Sequence, residues 1–459
     1  MEGFLLNCKK ELMDNFILAI DAGTTSSRAI LFDKNANPIE IAQHEFNQFF
    51  PKEGWVEHDP IEIWNTQLKA IREVIQKSKI DPKNIDSIGI TNQRETTVIW
   101  NKDTGQPVYN AIVWQDRRTA SFCDKLKEEN KSELIQDKTG LVIDAYFSGT
   151  KIKWILDSKS EIREQADKGQ LIFGTIDTWL IWNLSKGKYH LTDPSNASRT
   201  LLYNIKDDVW DDELLEIFDV PRNILPKVVD SSAISAYIDE EILGSKIPIA
   251  GIAGDQQAAL FGQLCVNPGD IKNTYGTGCF CMMNTGNSAV KSKNKMLSTI
   301  AWRINGELTY ALEGSVFVAG ALIQWLRDKL AIIKDAPEVE NLANTVKDNG
   351  GITFIPALSG LAAPYWDPYA QGTIFGITRG TENGHIARAA LESIALRTRD
   401  IIIEMQKDAD INFTNLKVDG GASNNNLLMQ IQSDLLQTNV VRPKTTETTA
   451  LGVAFLAGL

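Results

Sequence analysis

The chain has 459 residues, which is too long for one ordinary hydrophobic core, so two large domains are expected. Its composition, 43% hydrophobic and 23% charged, is typical of a soluble globular protein. The formal net charge is -12 and no stretch concentrates lysine and arginine, which argues against nucleic acid or an anionic membrane as the main partner.

The cysteines and the N-terminus indicate the cellular setting. There are five cysteines and no C-x-x-C pair, which argues against a disulfide framework. No apolar run is long enough to cross a membrane, and the apolar part of residues 1–15 is too short for a signal peptide. We therefore expect a cytoplasmic protein in which residues 1–15 form an N-terminal extension.

The first organised segment is "FILAIDAGTTSSRAILFD", residues 16–33. Two strand-like runs flank Gly23, which predicts a strand–turn–strand hairpin. The phosphate-loop pattern G-x-x-x-x-G-K-[ST] is absent from the whole chain. The N–H and hydroxyl groups of such a hairpin can hold phosphates, with Asp21 placed to bind magnesium directly or through water. A purely structural hairpin fits the pattern equally well.

A helix is predicted to begin after Asp59, which would cap it, with Pro60 in the first turn and Glu62 three residues after the cap. Strand and helix patterns then alternate along the chain, which predicts an α/β fold. The apolar residues on one face of this first helix are Trp64, Leu68, Ile71 and Ile75.

Two later passages are rich in glycine. "IPIAGIAGDQQAALFGQL", residues 247–264, predicts a strand that ends at Gly254 and is followed by a helix. "GDIKNTYGTGCFCMMNT", residues 269–285, predicts a second hairpin that echoes the first. A weak internal duplication with a domain boundary at residues 250–270 is the simplest account, and two unrelated hairpins are the alternative.

A third glycine-rich passage is "LKVDGGASNNNLLMQIQSDLL", residues 416–436. It predicts a strand that ends at Asp419 and a helix that follows. Gly420 and Gly421 allow a ligand to approach the backbone closely, and the helix N-terminus offers N–H groups and a partial positive charge.

Asp255 is the candidate general base. It follows glycine at a predicted strand end, and phosphoryl transfer to a hydroxyl needs a carboxylate that accepts the proton. Helix capping is the alternative role for Asp255. Arg94 and Glu95 end another predicted strand and can donate to and accept from a small polyhydroxy substrate. The alternative for that pair is a solvated surface position.

Several strings along the chain resemble one known family in content and in order. They are "DAGTTSSRAILFD", "EGWVEHDP", "TNQRETTVIW", "AIVWQDRR", "YFSGTKIKWILD", "DPSNASRTLLYNI", "GIAGDQQAALFGQ", "NTYGTGCF", "AGALIQWLRD" and "VDGGASNNNLLMQ". By these strings the chain resembles the FGGY carbohydrate kinases, whose fold is shared with actin and hexokinase, and within them the members that phosphorylate glycerol.

The resemblance implies an α/β architecture of two ribonuclease H-like (actin-like ATPase) domains that face each other across a cleft. Residues 16–262 would bind glycerol and phosphate, and residues 263–459 would bind the nucleotide. Because the family continues for some tens of residues beyond "TTALGVAFLAGL", the second domain is expected to be truncated at its C-terminus.

The resemblance also implies ligands for individual residues, with Asp255 as the base. The implied contacts are Thr24, Thr25, Ser26 and Arg28 for the ATP phosphates, Asp21 for magnesium, Arg94, Glu95, Tyr146, Asp255 and Gln256 for the glycerol hydroxyls, Trp114 and Phe280 for the glycerol carbons, and Thr277, Gly320, Gln324, Gly421 and Asn425 for ATP or ADP.

The implied activity is ATP-dependent phosphorylation of glycerol to sn-glycerol 3-phosphate, the first step of glycerol catabolism, with Mg²⁺ as cofactor. The resemblance further implies a homodimer or homotetramer. Segment 236–249, "AYIDEEILGSKIPI", has neither the loop for a sugar bisphosphate inhibitor nor the regulatory histidine of some members, so neither control is implied. The alternatives are a sister kinase for another polyol or a ketopentose, and a nucleotide-binding module that has lost catalysis.

Overall fold

The computed structural model of the chain describes residues 15–367 and 369–459. These residues form two compact units. The first contains residues 15–262, 299–308 and 449–459, and the second contains residues 263–298 and 309–448. The predicted extension, residues 1–15, lies outside the described residues except for Asn15. The domain boundary after residue 262 stays a prediction from the sequence.

Strands and helices alternate along the described chain. The strands are β1 (Phe16–Ala22), β2 (Ser26–Phe32), β3 (Pro38–Glu45), β4 (Gln48–Phe49), β5 (Glu57–His58), β6 (Ile85–Asn92), β7 (Val98–Asn101), β8 (Ala111–Ile112), β9 (Leu171–Gly174), β10 (Leu191–Thr192), β11 (Tyr203–Asn204), β12 (Val209–Trp210), β13 (Lys227–Val228), β14 (Ser232–Tyr237), β15 (Pro248–Gly254), β16 (Ile271–Tyr275), β17 (Cys279–Gly286), β18 (Leu297–Ile304), β19 (Glu307–Val316), β20 (Thr353–Ile355), β21 (Thr373–Phe375), β22 (Asn415–Asp419) and β23 (Asn439–Val441). The helices are α1 (Pro60–Ser78), α2 (Ala120–Glu128), α3 (Ser132–Thr139), α4 (Ser148–Asp157), α5 (Ser160–Asp167), α6 (Ile176–Leu184), α7 (Pro194–Ala197), α8 (Asp212–Phe218), α9 (Glu240–Leu243), α10 (Asp255–Gly262), α11 (Gly320–Asp328), α12 (Glu338–Ala343), α13 (Asn383–Ala409), α14 (Asn426–Leu436) and α15 (Thr448–Gly458). Within the described residues, no helix combines the length and the apolar character that a membrane span needs.

The two units share one strand arrangement. In the first unit the order is β3-β2-β1-β6-β15, with antiparallel pairs on the β3 side of β1 and parallel pairs from β1 through β6 to β15. In the second unit the order is β19-β17-β16-β22-β23, with the same change from antiparallel to parallel pairing at β16. Both predicted hairpins are therefore confirmed. The strands around each hairpin have the same order and pairing directions, as the predicted duplication requires.

Helix α1 shows where the sequence pattern was accurate and where it was not. Asp59 caps the helix as predicted, since its carboxylate accepts from the backbone N–H of Ile61 at 2.8 Å. Glu62 instead accepts from the backbone N–H and side-chain amide of Asn47, at 3.1 and 2.9 Å. The buried face of the helix is centred about one residue before the predicted one, because α1 packs on β2 and β3. Its buried residues are Pro60, Ile63, Gln67, Ala70, Ile71 and Val74, while Trp64, Leu68 and Ile75 are half-buried.

Helix α15 packs closely on the central strands of the first unit. A Cβ atom on Gly89 of β6 would lie 2.4 Å from the carbonyl oxygen of Val453, and one on Gly251 of β15 would lie 2.7 Å from the same oxygen. The hydroxyl of Ser87 donates to the carbonyl of Ala457 at 2.9 Å. These contacts fix β6 and β15, the two strands that lead into Arg94 and Asp255.

Candidate active site

Asp255 is the first residue of α10 and directly follows the last residue of β15. Its carboxylate oxygen Oδ1 accepts from the backbone N–H of Gln256 at 2.7 Å and lies 3.2 Å from Nε of Arg94. The side chain of Asp255 is 29% exposed, whereas that of Arg94 is 2% exposed. A carboxylate that is held by a buried cation and still accessible can accept a proton from a bound ligand.

Arg94 connects the carboxylate to two further side chains. Its Nη1 donates to Oε1 of Gln257 at 3.2 Å, and its Nη2 donates to the hydroxyl of Tyr146 at 3.4 Å. A Cβ atom on Gly254 would lie 2.7 Å from both Cγ and Cδ of Arg94. A side chain at position 254 would collide with Arg94. Glycine at this position therefore allows Arg94 to lie across the end of β15.

Glu95 is buried in an uncommon backbone conformation. Its φ of 62° lies in the left-handed region, which few residues other than glycine adopt. Its carbonyl oxygen accepts from the hydroxyls of Thr97 and Ser148, at 3.0 and 2.8 Å, and its Oε1 accepts from Nε of Arg199 at 2.6 Å. Such strain persists where surrounding contacts fix it, and it is typical of functional sites. Because Arg94 and Glu95 are both buried, the alternative of a solvated surface pair is wrong.

Two aromatic rings lie beside this polar cluster. The ring centroids of Trp114 and Tyr146 are 5.7 Å apart in an edge-on arrangement. The indole N–H of Trp114 donates to the hydroxyl of Thr24 at 3.0 Å, so the aromatic pair is joined to the β1–β2 hairpin. Phe280, the other residue implied for the carbon side of glycerol, lies half-buried on β17 in the second unit.

The β1–β2 hairpin closes through a hydrogen bond from Gly23 N–H to the carbonyl of Ser26, at 2.9 Å. Asp21 and Arg28 occupy paired positions, with Nη2 and Oδ2 2.6 Å apart. Thr25 at the turn is exposed, whereas Ser26 is buried and its hydroxyl accepts from the side chain of Gln43 at 3.0 Å. Phosphate binding by these residues stays a prediction.

In the second unit, glycine turns meet at the end of β16. The carbonyl of Thr277, between β16 and β17, accepts from the backbone N–H groups of residues 319 and 321, at 2.9 and 3.0 Å. A Cβ atom on Gly320 would lie 2.6 Å from the carbonyl of Gly276, and one on Gly420 would lie 2.5 Å from the carbonyl of Tyr275. Three chain segments therefore approach one another through their backbones, and the N-terminus of α11 begins at this point.

The remaining predicted nucleotide residues lie on the same two segments. A Cβ atom on Gly421 would find no atom within 4 Å, so the backbone there is open to a ligand. The side chain of Asn425 caps α14 by accepting from the N–H of Leu428 at 2.8 Å. Gln324 is exposed on α11. The second unit thus holds Phe280 and the five residues predicted to contact ATP or ADP outside the hairpin, and the first unit holds the other predicted site residues, including those predicted for the ATP phosphates.

Two parts of the chain match the two domains of one family. Residues 16–262 match the N-terminal domain, and residues 271–459 the C-terminal domain, of the FGGY family of carbohydrate kinases. The chain therefore belongs to the FGGY family of carbohydrate kinases.

Curated relatives and solved structures give a finer comparison. Glycerol kinase 2 of Thermotoga maritima is 60% identical over 444 residues, which cover 97% of this chain and 90% of the relative. A glycerol kinase of Nitratidesulfovibrio vulgaris is 61% identical over 447 residues, with the same coverage of 97% and 90%. The crystal structure of Plasmodium falciparum glycerol kinase with ADP superimposes with a TM-score of 0.91 at 38% identity, covering 97% of this chain and 89% of that one. A gluconate kinase from Lactobacillus acidophilus, at 24% identity and a TM-score of 0.87 over 97% and 89% of the two chains, shares the fold.

Several residues of the site were not predicted from the sequence. Arg199, which holds Glu95, and Gln257, which holds Arg94, carry no predicted role. A signal for Arg199 was available, because it is the one charged residue in segment 194–205. A single charge among small and apolar residues indicates a buried, paired side chain.

Lys151 is another buried cation that the sequence did not indicate. Its Nζ donates to the carbonyl oxygens of Ala145, Tyr146 and Phe147, at 2.6, 2.5 and 3.1 Å. Burial lowers the pKa of Lys151 to about 8. The three hydrogen bonds secure the backbone of the segment that presents Tyr146 to Arg94.

Proposed function

We propose that this chain transfers the γ-phosphoryl group of ATP to a terminal hydroxyl of glycerol and releases sn-glycerol 3-phosphate and ADP. The main structural support for this reaction is the accessible carboxylate of Asp255, which lies 3.2 Å from Nε of the buried Arg94. The choice of glycerol is supported by relatives that are glycerol kinases at about 60% identity over 97% of the chain.

In the proposed mechanism, Asp255 acts as the general base. Its carboxylate accepts the proton of the terminal hydroxyl while that oxygen attacks the γ-phosphorus in line with the departing oxygen of ADP. The new oxygen–phosphorus bond forms as the bond to ADP breaks. Arg94 orients the carboxylate, and with Tyr146 and Gln256 it supplies hydrogen bonds to the glycerol hydroxyls.

Glu95 and the aromatic residues complete the proposed acceptor site. The carboxylate of Glu95, fixed by Arg199, accepts from a glycerol hydroxyl. Trp114 and Phe280 contact the carbon side of glycerol and exclude water, which would otherwise compete as the phosphoryl acceptor.

For the nucleotide we propose two groups of residues. In the first unit, the β1–β2 hairpin binds the phosphates, with the guanidinium of Arg28 offsetting part of their charge. In the second unit, the glycine turns around the end of β16 bind the rest of ATP or ADP. The residues concerned are Thr24, Thr25, Ser26 and Arg28 in the hairpin, and Thr277, Gly320, Gln324, Gly421 and Asn425 in the second unit.

Asp21 fits the role of a magnesium ligand. Mg²⁺ takes most of its ligands from phosphates and water and needs only one or two carboxylates from the protein. The described residues contain no cluster of three or more metal-binding side chains, and the single buried carboxylate of Asp21 on β1 of the hairpin suits this limited contribution. Asp21 would hold the ion, with Arg28 2.6 Å away limiting the contact to one oxygen or a water. The bound ion would offset phosphate charge.

We also infer a cytoplasmic enzyme that forms a homodimer or homotetramer, which the family resemblance supports. Light scattering on the purified chain measures the oligomeric state directly. A monomeric mass would contradict this inference and leave the proposed activity unaffected.

A substrate panel tests the proposed activity. ADP release is coupled to a second enzyme and measured with glycerol, other polyols and ketopentoses, and we expect glycerol to give the highest kcat/KM. A pentulose that exceeds glycerol would establish the sister-kinase alternative. Calorimetry that shows ADP binding without turnover of any acceptor would establish a nucleotide-binding module instead.

A further inference from the structure

Residues 193–199, with the sequence Asp-Pro-Ser-Asn-Ala-Ser-Arg, form a fully buried segment of the first unit. The segment includes the short helix α7, and its side chains are largely polar. Burial of so many polar groups is favourable only when each finds a hydrogen-bond partner. The hydrogen-bond partners of this segment therefore identify what it holds in place.

Ser195 contacts the strand that leads into Asp255. The backbone N–H of Gly254 donates to the hydroxyl oxygen of Ser195 at 2.9 Å. That hydroxyl in turn donates its proton to Oδ1 of Asp193, also at 2.9 Å. Because Gly254 immediately precedes Asp255, this two-step chain fixes the backbone from which the Asp255 carboxylate projects.

The same segment contacts the strand that leads into Arg94 and Glu95. Oδ1 of Asn196 accepts from the side-chain amide of Asn92, the last residue of β6, at 3.0 Å. Nε of Arg199 donates to the carboxylate of Glu95 at 2.6 Å. One stretch of seven residues therefore contacts both strand ends of the proposed acceptor site.

We propose that segment 193–199 is a positioning element for the reaction, and that Ser195 holds the Asp255 carboxylate in its reactive direction through the Gly254 N–H. The proposal rests on the role of Asp255 in the proposed function. Without the hydroxyl, a buried N–H loses its acceptor and the backbone shifts to find another. A displacement of about 1 Å at a reacting group is enough to slow a reaction by roughly 10²-fold.

The test compares Ser195→Ala with a matched control, Ser231→Ala. Ser231 is equally buried, donates to the other oxygen of Asp193 at 2.7 Å, and accepts from the backbone N–H of Arg303 at 3.1 Å, away from Asp255. Both substitutions remove one hydrogen bond to Asp193, but only Ser195→Ala removes the acceptor of the Gly254 N–H. We expect Ser195→Ala to lower kcat by about 10- to 100-fold with an unchanged KM for ATP. Ser231→Ala should keep kcat within about twofold.

The measurement is kcat and KM with glycerol and ATP, together with the thermal midpoint of each variant. Equal loss of kcat in the two variants, or no loss in either, would overturn the inference, because a purely structural role lowers only their stability. If Ser195→Ala does not fold, Ser195→Cys keeps the shape with a weaker acceptor and should show an intermediate loss of kcat. Absence of glycerol-dependent turnover in the wild-type chain would instead overturn the proposed function, and this inference with it.

Discussion

Each of the two carboxylates that we propose to bind glycerol is in contact with a buried guanidinium group. Arg94 holds Asp255 and Arg199 holds Glu95, at 3.2 and 2.6 Å. Removing one member of a buried pair leaves an uncompensated charge, so the two arginines are as important to the site as the carboxylates. Arg199 also lies over the rings of Tyr146 and Phe147, with its guanidinium 5.6 and 5.3 Å from their centroids.

The pairing of Arg199 with Glu95 leads to a prediction for glycerol affinity. Arg199→Lys keeps the charge but loses the planar group that donates to Glu95, and lysine does not reproduce that geometry. We expect the KM for glycerol to rise about tenfold while the KM for ATP is unchanged. Arg303→Lys is the control, since Arg303 pairs with Asp208 and Asp230 in the same unit. A glycerol KM that moves equally in both variants would refute a specific role for Arg199.

At the scale of single residues, the sequence indicated only part of the site. The strand–glycine–helix pattern was enough to select Asp255, whereas Trp114 and Gln324 entered only through the family resemblance. The burial of Arg199 could be inferred from its isolated charge, but the partners of Arg199 and Ser195 could not be predicted, because they lie 104 and 59 residues away along the chain. Local pattern carries no information about which distant strand end a buried side chain will contact.

At the scale of elements, backbone contacts through glycine determine the shape of the predicted nucleotide site. The sequence predicted both hairpins and the strand–helix junctions, because turns and hydrophobic periodicity are local properties. It placed the buried face of α1 about one residue late, since the strands beneath the helix decide which side is covered. The close approach of Gly320 to Gly276 is likewise a tertiary contact that no local pattern gives.

The contact between Gly320 and Gly276 gives a prediction for nucleotide binding. In Gly320→Ala the new methyl group would lie 2.6 Å from the carbonyl of Gly276, so α11 must move away from the turn that carries Thr277. We expect the Kd for ADP, measured by calorimetry, to rise about tenfold with little change for glycerol. Gly380→Ala is the control, because a Cβ atom there meets nothing closer than 3.9 Å. An ADP affinity equal to wild type in Gly320→Ala would contradict the assignment of this turn.

At the scale of the whole molecule, two units with one strand arrangement divide the predicted ligands between them. The first unit carries the proposed base, most of the glycerol contacts and the hairpin proposed for the ATP phosphates, and the second carries the contacts proposed for the rest of the nucleotide. Buried ionisable groups of the first unit also make its stability depend on pH. Burial raises the pKa of Asp177 to about 7, although Thr175 and Thr192 donate hydrogen bonds to its carboxylate.

The raised pKa of Asp177 predicts the direction of a stability change. Between its unfolded pKa of 3.8 and its folded pKa of about 7, the folded state keeps a proton that the unfolded state has lost. The free energy of unfolding therefore falls as the pH rises through this range. The loss of stability caused by the buried Asp177 carboxyl reaches its full size above pH 7. Asp177→Asn removes this penalty, so the stability of the variant relative to wild type should rise by roughly 3 kcal/mol from pH 5 to pH 8. Calorimetric unfolding that gives the same difference at both pH values would contradict this.

Phosphorylation of glycerol with Asp255 as the base can be tested at the catalytic carboxylate itself. The most direct measurement is glycerol-dependent ADP release by wild type and Asp255→Asn side by side, with glycerol and ADP binding measured on both by calorimetry. We expect robust wild-type turnover and a loss in kcat of roughly 10²–10⁴-fold in the variant, with ADP binding retained. Near-normal turnover by Asp255→Asn would show that Asp255 is not the base.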